Sequence, residues 1–452
     1  MLPADFEAFF QDAPAGVDVE AIRAQWQAVK APYNVEQWLL PLPLWAKRGF
    51  DDRGPQAWER LRGDLRQAST RRPMCIYLHI PFCTRKCGFC DSYSFKLGGH
   101  VAEHHHNYCQ ALLDEMRLWR AEALWQAPAV PTVHFGGGTP TSLGEAHLER
   151  LVVALRETFN ITPSTEFALE ANVKTLTPSM LSHLHGLGFR RLHIGVQSME
   201  DPVRQAIGRQ CPAAEVLQAV ERTRALGWVV SVDLICGLPG QTLAGWVEGL
   251  AQLARAGVNG FSLYELLIYP QNLRWAQRYG LTGRSHRPNY FLFQAGADFL
   301  AQLGLRQNLF NHWADAQDAN IYFTFPTRGE DLLALGAIAD GVFGDYHYRH
   351  PRYAEYLRLA KDGFPGLQGG LRRTRREQFA HAPTTAILSG TLPAEMLAFI
   401  RQSTRADGAG LVDGWLERQL VTSDGQGGLR LTANGAWFAG NMIAEMTARL
   451  VE

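Results

Sequence analysis

The stretch Cys75-Ile-Tyr77-Leu-His79-Ile-Pro-Phe-Cys83-Thr-Arg-Lys-Cys87-Gly-Phe89-Cys90 places three cysteines within eight residues, directly after a short apolar run. Three thiolates in a C-x3-C-x2-C pattern on one short loop can converge on a single site, and thiolates select zinc or iron–sulfur clusters. Structural zinc wants four protein ligands, usually two cysteine pairs far apart, and this chain has no second pair. A cubane 4Fe–4S cluster held by three cysteines instead leaves one iron open to an outside ligand. The other four of the seven cysteines, Cys75, Cys109, Cys211 and Cys236, have no ligand spacing and read as packing residues. The odd count, without a basic-then-apolar export signal at Met1–Glu7, argues against a disulfide framework.

Outward from this loop, apolar runs recur at Cys75–Ile80, Thr132–Phe135, Glu166–Glu170, Arg191–Val196, Val229–Cys236 and Gly260–Leu266. Between them lie amphipathic stretches: Tyr108–Leu124, His147–Phe159, Met180–Leu187, Ala213–Leu226 and Leu243–Ala256. Buried strand alternating with amphipathic helix predicts right-handed βαβ units and a parallel sheet. Six units fit a partial barrel or an open, curved sheet, with ligands at the carboxyl ends of the strands. Residues 1–74 read as a helical extension with helices at Val19–Lys30 and Pro55–Ala68. The α/β core occupies 75–290. Residues 291–383 are richer in aromatics, Asn, Asp and His. Residues 384–452 read as a small winged-helix-like module, with helices at Pro393–Ser403 and Val412–Gln419 and a strand at Gly428–Leu431 before a final helix.

Composition narrows the function classes. The 452 residues carry 44 Lys+Arg against 44 Asp+Glu, so net charge gives no bulk attraction to nucleic acid or anionic membrane. The C-terminal module, with five Arg against seven Asp/Glu over 386–452, does not suit DNA either. No apolar stretch approaches the length of a membrane span. The expectation is a soluble, cytoplasmic protein with neither nucleic-acid nor membrane partners.

The run from Tyr77 to Cys90 resembles the cluster loop of radical S-adenosylmethionine (SAM) enzymes, in the HemN-like branch. Four further segments agree in order and spacing: Gly136-Gly137-Gly138-Thr139-Pro140-Thr141, Glu170-Ala171-Asn172, Arg191-Leu-His-Ile-Gly195-Val-Gln197-Ser198, and Asp233-Leu-Ile-Cys-Gly237-Leu-Pro239-Gly240-Gln241-Thr242. The resemblance is strong over 75–270 and weak in the C-terminal module. It implies an α/β, partial (β/α)6 radical SAM barrel. It implies that Cys83, Cys87 and Cys90 ligate three irons of a 4Fe–4S cluster whose fourth iron is chelated by the amino and carboxylate groups of SAM. Gly137, Gly138 and Thr139 would offer backbone donors and close approach to the methionine end, and Glu170 would hold a SAM group. Gln197, Arg209 and Asp233 match positions contacting a second SAM, and Tyr77 and Phe89 match cofactor-contacting positions.

The implied chemistry is one-electron reduction of SAM, fed by a donor such as flavodoxin or ferredoxin, to a 5′-deoxyadenosyl radical that abstracts hydrogen from carbon. Departures from the branch narrow the outcome. Where the coproporphyrinogen oxidase group has a further Cys soon after the triplet, this chain reads Asp91-Ser92-Tyr93-Ser94. Where the heme-chaperone group (HemW) has a His-Asn pair before two aromatics, it reads Asp318-Ala319-Asn320-Ile321-Tyr322-Phe323. The N-terminal extension and the end segment Leu431–Met442 are closest to the class C methyltransferases. The expectation is therefore C-methylation of an sp2 carbon of an aromatic, heteroaromatic or tetrapyrrole substrate with two SAM. A heme carrier and a coproporphyrinogen dehydrogenase are the alternatives. The substrate pocket is expected from Tyr264–Pro270 and the region beyond 290. No general acid or base is assigned.

Two smaller signals read as structural. His104-His105-His106 on a helix point in different directions and cannot meet one ion. The run Arg372, Arg373, Arg375, Arg376 could grip an anionic substrate group, but such runs are mostly solvated surface.

Overall fold

A computed structural model describes residues 6–29, 33–67, 72–122, 129–362, 366–404 and 408–451. Its centre is a parallel ladder: β2 (Met74–Ile80), β3 (Thr132–Gly137), β4 (Glu166–Ala171), β5 (Phe189–Gln197), β6 (Val229–Cys236) and β7 (Gly260–Glu265), each pairing with the next. The intervening α-helices are Val101–Ala121, Glu145–Thr158, Pro178–Gly186, the short Asp201–Ala206, Ala213–Ala225 and Leu243–Arg255. Polar caps start several of them: the Thr177 hydroxyl accepts from the Met180 N–H, and Thr242 from Gly245. Lys30, Ala68 and Leu124, the expected ends of three helices, lie outside the described residues.

The sheet is larger than six units. β10 (Asp331–Leu335) adds a seventh parallel strand beside β2, pairing Asp331 with Met74 through Leu335 with Leu78. Beyond it run the antiparallel strands β11 (Asp340–Phe343), β12 (Tyr346–Arg349), β13 (Leu367–Arg372) and β1 (Asp52–Arg53). On the other side β7 pairs antiparallel with β9 (His312–Ala314), which pairs with β8 (Arg306–Leu309). The sheet is open: its edge strands, β1 and β8, do not pair with each other. A second, three-stranded sheet orders β14 (Thr391–Leu392), β16 (Leu429–Leu431) and β15 (Val421–Ser423). The N-terminal extension binds the helix Ala433–Trp437 that follows β16: Trp38 Nε1 donates to the Trp437 carbonyl at 2.7 Å, and Asn434 Nδ2 donates to the Gln25 carbonyl at 3.0 Å.

Strand alternation sorts the core strands into two faces. Ile76, Leu78, Val133, Phe135, Leu169, Leu192, Ile194, Val230 and Val232 belong to the main apolar core and are at most 1% exposed. The opposite parity carries Tyr77, His79, His134, Glu170, Arg191, His193, Gln197, Ser231, Asp233 and Ser262. That second face is closed at the amino ends of the strands by Asp318, which accepts from Arg191, from Ser231 Oγ at 2.6 Å and from His312 Nε2 at 3.0 Å. This anchor fixes the turn into Asn320, at φ +46°, and so delivers Tyr322 and Phe323 onto the polar face.

Candidate active site

The cysteine loop leaves the end of β2 and is held from both sides. Cys83 N–H donates to the Phe95 carbonyl at 3.0 Å and Phe95 N–H to Pro81 at 2.9 Å. Gly88 N–H donates to Ile207 at 3.1 Å, and a Cβ at Gly88 would lie 2.3 Å from the Trp275 ring, so only glycine fits there. Asn272 Nδ2 donates to the Phe89 carbonyl at 2.9 Å, while the Phe89 ring packs on the apolar cluster that includes Leu238 and Leu266. Cys83, Cys87 and Cys90 are free thiols at intermediate exposure. Burial raises the Cys87 thiol; Arg209 and Lys86 oppose this, and the Cys90 and Cys83 thiols reinforce it. Three thiols within one another's field, two cations beside them and no disulfide fit a cluster ligated by three thiolates. Among the described residues no three His, Cys, Asp or Glu side chains surround a point suited to one metal ion. A cubane takes its thiolates on separate irons.

Beside the loop, Thr139 Oγ1 lies 3.7 Å from Cys83 Sγ. The amides of Gly137, Gly138 and Thr139, expected as backbone donors, have partners within the protein. Gly137 N–H donates to Glu170 Oε2 at 3.2 Å, Gly138 N–H to the Ile80 carbonyl at 2.7 Å and Thr139 N–H to the Phe82 carbonyl at 2.8 Å. All three amides are engaged inside the protein, because the segment must lie flat against the end of β2. Gly137 is glycine for local reasons too: its φ is +106°, and a Cβ would meet the His79 ring at 2.6 Å.

Glu170 also accepts from His134 Nε2 at 3.2 Å. Burial pushes its carboxyl up, but the His134 bond, the charge of His193 and the Gly137 N–H outweigh it, and the group titrates below its ordinary value. Tyr77 and Tyr322 cover this corner, with Tyr322 stacked on His134 at 4.1 Å and 11°. His79 Nε2–H donates to the Tyr93 carbonyl at 3.0 Å, so its Nδ1 accepts a hydrogen bond from the Tyr77 hydroxyl at 2.9 Å. Burial holds His79 neutral.

Gln197, Arg209 and Asp233 are brought to neighbouring strand ends. A register shift between Gly195 and Gln197, with Gln197 at φ +71°, re-aims the Gln197 side chain. Gln197 Nε2 and an Arg209 guanidinium nitrogen both lie over Gly195, 2.7 and 3.1 Å from where a Cβ would be, and Gly195 is the register partner of Asp233. Buried Arg204 fixes this corner by donating to the carbonyls of Val196, Ser198 and Cys211. Gln197 Oε1 and Arg209 Nε are buried without a hydrogen-bond partner. Asp233 pairs with His193, Nε2 to Oδ1 at 2.7 Å, and not with Arg209. The side chains of Glu170 and Asp233 are 31% and 24% exposed, so each carboxylate keeps open space before it.

The sequence profile of the Radical SAM superfamily matches residues 77–262. The heme chaperone HemW of Bacillus subtilis is 34% identical over 278 residues, 59% of this chain and 70% of that protein. This chain belongs to the radical SAM superfamily, in its HemN-like branch. Among its relatives, the anaerobilin synthase of Escherichia coli O157:H7 is 28% identical over 400 residues, 86% of this chain and 87% of that one. The solved coproporphyrinogen III oxidase (HemN) of Escherichia coli superposes with a TM-score of 0.73 at 23% identity, covering 87% of this chain and 96% of that one, and so shares its fold.

Within this radical SAM fold, the sequence motifs omitted His134 and gave no role to His193, which lies inside one of them, or to the stacking of Tyr322. Their signal was strand parity: a strand buried on both faces that alternates His, Glu, Arg or Asp with aliphatics must turn one face to a polar interior. The expected pocket stretch is partly placed. A cavity of about 710 Å³ is lined by Leu266–Tyr269, the Gly237–Leu243 loop, residues 281–292, and Phe9 and Leu40 of the extension. From beyond residue 290 it takes Leu292. The histidine triplet diverges as expected, His104 to Tyr353, His105 to Phe82 and His106 to His147. In the arginine run, Arg372 binds Asp64 and Asp345, Arg373 the Gly344 carbonyl and Arg376 the Thr447 carbonyl. These four contacts join parts of the fold. Among the described residues no helix is long and apolar enough to cross a membrane.

Proposed function

We propose that this radical SAM enzyme transfers a methyl group to an sp2 carbon of an aromatic, heteroaromatic or tetrapyrrole substrate and uses two SAM molecules. A 4Fe–4S cluster on Cys83, Cys87 and Cys90 would supply the electron that cleaves SAM to a 5′-deoxyadenosyl radical. The observation that carries the reading is a second polar cradle, distinct from Glu170 and bordering the cysteine loop through Arg209. Gln197 Oε1 and Arg209 Nε are buried and unpartnered beside the open carboxylate of Asp233. Buried polar atoms without partners are costly and mark where a ligand completes the bonding. An amide, a guanidinium fork and a carboxylate suit the zwitterion and ribose of SAM. At the first site, Glu170, held ionised beside the Gly137 segment, would receive an ammonium or ribose hydroxyl. Tyr77, Tyr322 and Phe89 are apolar walls that exclude water around the reacting groups. The electron would come from a flavodoxin- or ferredoxin-like donor. Tetrapyrroles are favoured among the substrates because anaerobilin synthase, HemW and HemN are all relatives or fold neighbours.

Turnover with SAM bearing a deuterated methyl group tests this reading. The expected products are S-adenosylhomocysteine together with 5′-deoxyadenosine that has gained deuterium. Substrate turnover without S-adenosylhomocysteine would eliminate methyl transfer. A heme carrier is the second reading, favoured by the identity to the Bacillus subtilis heme chaperone. Tight stoichiometric heme uptake without SAM turnover would select it.

A further inference from the structure

Across four consecutive strands the polar face of the sheet alternates base and acid: His134 on β3, Glu170 on β4, His193 on β5, Asp233 on β6. His134 Nε2 is 3.2 Å from Glu170, and His193 Nε2 is 2.7 Å from Asp233. Glu170 and His193 are themselves register partners. The row is therefore continuous, and each carboxylate has an imidazole from the preceding strand. Both rings are enclosed, 1% and 3% exposed at the side chain, and in both the second nitrogen, Nδ1, is buried without a hydrogen-bond partner. Tyr322 stacks on the first ring and Phe323 packs against the second at 5.4 Å, both carried by the segment that Asp318 anchors.

The two histidines are shifted in opposite directions. Burial disfavours the imidazolium in both. At His134 burial wins over Glu170, and the positive fields of His193 and Arg191 add to it, so the ring stays neutral. At His193 the attraction of Asp233 and of Glu170 outweighs burial and the repulsion of Arg191, so the ring is more readily protonated than a free histidine. His193 lies between two carboxylates on adjacent strands, bonded to Asp233 and in register with Glu170, whereas His134 is bonded to Glu170 alone.

We propose that His193 is a positioning residue shared by the two cofactor sites, orienting Asp233 through its hydrogen bond and stabilising ionised Glu170 through its charge, while His134 orients Glu170 alone. The proposal rests on the reading above, in which Glu170 and Asp233 each meet a SAM molecule. Its consequence is one-way sharing: His193 links the two sites and His134 does not.

Anaerobic equilibrium dialysis with labelled SAM, run beside iron content and thermal midpoint, tests it. His193→Leu should weaken the second site at least about tenfold and the first at least about threefold, because a charged partner is lost from both. His193→Gln keeps an N–H for Asp233 without a charge. It should restore the second site to within about threefold of wild type and leave the first weakened. His134→Leu should weaken the first site about tenfold and leave the second within about twofold. If His193→Leu loses iron or folds poorly, His193→Gln decides. A glutamine variant that binds SAM at both sites as tightly as wild type overturns the proposal. So does a His134→Leu protein that weakens both sites equally. Wild-type protein that binds one SAM per chain removes the two-SAM reading and this inference together. Two sites in wild type with unmoved histidine variants remove the inference alone.

Discussion

Arg191, near the start of β5, and Asp318, in the segment after β9, form an ion pair enclosed by protein, their side chains 3% and 0% exposed. Asp318 also accepts from Ser231 and His312, while Arg191 Nη1 lacks a hydrogen-bond partner and has Glu166 at 3.9 Å. The pair holds the turn that places Tyr322 and Phe323 over the polar row. Removing one member leaves a buried charge uncompensated. Asp318→Ala should therefore cost about 3–5 kcal/mol of stability, and Asp318→Asn less because it keeps part of the bonding. Anaerobic denaturant unfolding measures this, and a loss under about 1 kcal/mol for the alanine variant would contradict it.

Iron content separates the two classes of cysteine. Cys83, Cys87 and Cys90 lie on the clamped loop at intermediate exposure, whereas Cys109, Cys211 and Cys236 are buried among apolar side chains. Reconstituted wild-type protein should hold about four irons and show a brown charge-transfer absorption. Alanine at Cys83, Cys87 or Cys90 should abolish that absorption. Alanine at Cys109, Cys211 or Cys236 should leave it intact. A full cluster in all three loop variants would refute the ligand assignment.

The core strands were legible because each is a short apolar run between amphipathic helices; Val229–Cys236 has the same limits in sequence and structure. The seventh parallel strand was not. Leu332–Leu335 lies beside β2 although about 250 residues separate them, and nothing local in either segment encodes that pairing. The ends of β11–β13 are set by partners such as Tyr346 opposite Arg372, again a nonlocal fact. In the site, cysteine spacing and the glycine segments carried their own chemistry. The engagement of the Gly137–Thr139 amides was hidden, because it depends on how close the strand ends of β2 and β3 lie. His134 and His193 were visible only as polar positions of one strand parity, and their carboxylate partners only through inter-strand register.

Glu170 gives a cleaner test of the first SAM site than Gly137. Gly137→Val would strain the backbone at φ +106° and strike His79, so its expected effect is lost stability and cluster content. Glu170→Gln keeps an acceptor for one of the two donors, His134 Nε2 or the Gly137 N–H, and removes the charge. It should cut 5′-deoxyadenosine formation at least tenfold at unchanged iron content, since a charge-assisted bond is worth more than about 1.4 kcal/mol. A wild-type rate would take Glu170 out of the cofactor site.

A second enclosed pair, away from the site, gives a pH signature. Glu115, on the helix after β2, accepts from His350 Nε2 at 2.8 Å, from the Tyr356 hydroxyl at 2.6 Å and from the Gly336 N–H at 3.1 Å. Burial opposes both charges. His350, Tyr356 and Gly336 nevertheless hold Glu115 below its ordinary 4.5, while Glu115, the Ala339 carbonyl and Asp340 hold His350 above its ordinary 6.5. The depressed acid stabilises the fold above 4.5, and that stability is lost as pH falls through its folded value. The raised base stabilises it below 6.5, and that stability is lost as pH rises through its folded value. The pair is thus at full strength between those limits. His350→Gln should be destabilised most in that window, with its deficit shrinking as pH rises through the His350 value. Thermal midpoints of both proteins across pH check this, and a pH-independent deficit would contradict it.

Arg209 distinguishes the second SAM site from the first. Its guanidinium lies over Gly195 with Nε unpartnered, and Asp233, its one plausible rim partner on the neighbouring strand, is bound to His193 instead. Among the described residues no carboxylate bonds this donor, and the carboxylate of a ligand would satisfy it bidentately. Arg209 also faces Cys87, so its removal could disturb the cysteine loop, and iron content must be measured alongside. With the cluster retained, Arg209→Ala should stop methyl transfer, because the second SAM loses its carboxylate anchor, while SAM cleavage at Glu170 continues uncoupled. The signature is 5′-deoxyadenosine without S-adenosylhomocysteine. Arg209→Lys keeps the charge without the fork and should recover a small fraction of methyl transfer. If Arg209→Ala instead makes both products in wild-type proportion, Arg209 holds no second SAM, and its unpaired nitrogen has some other partner.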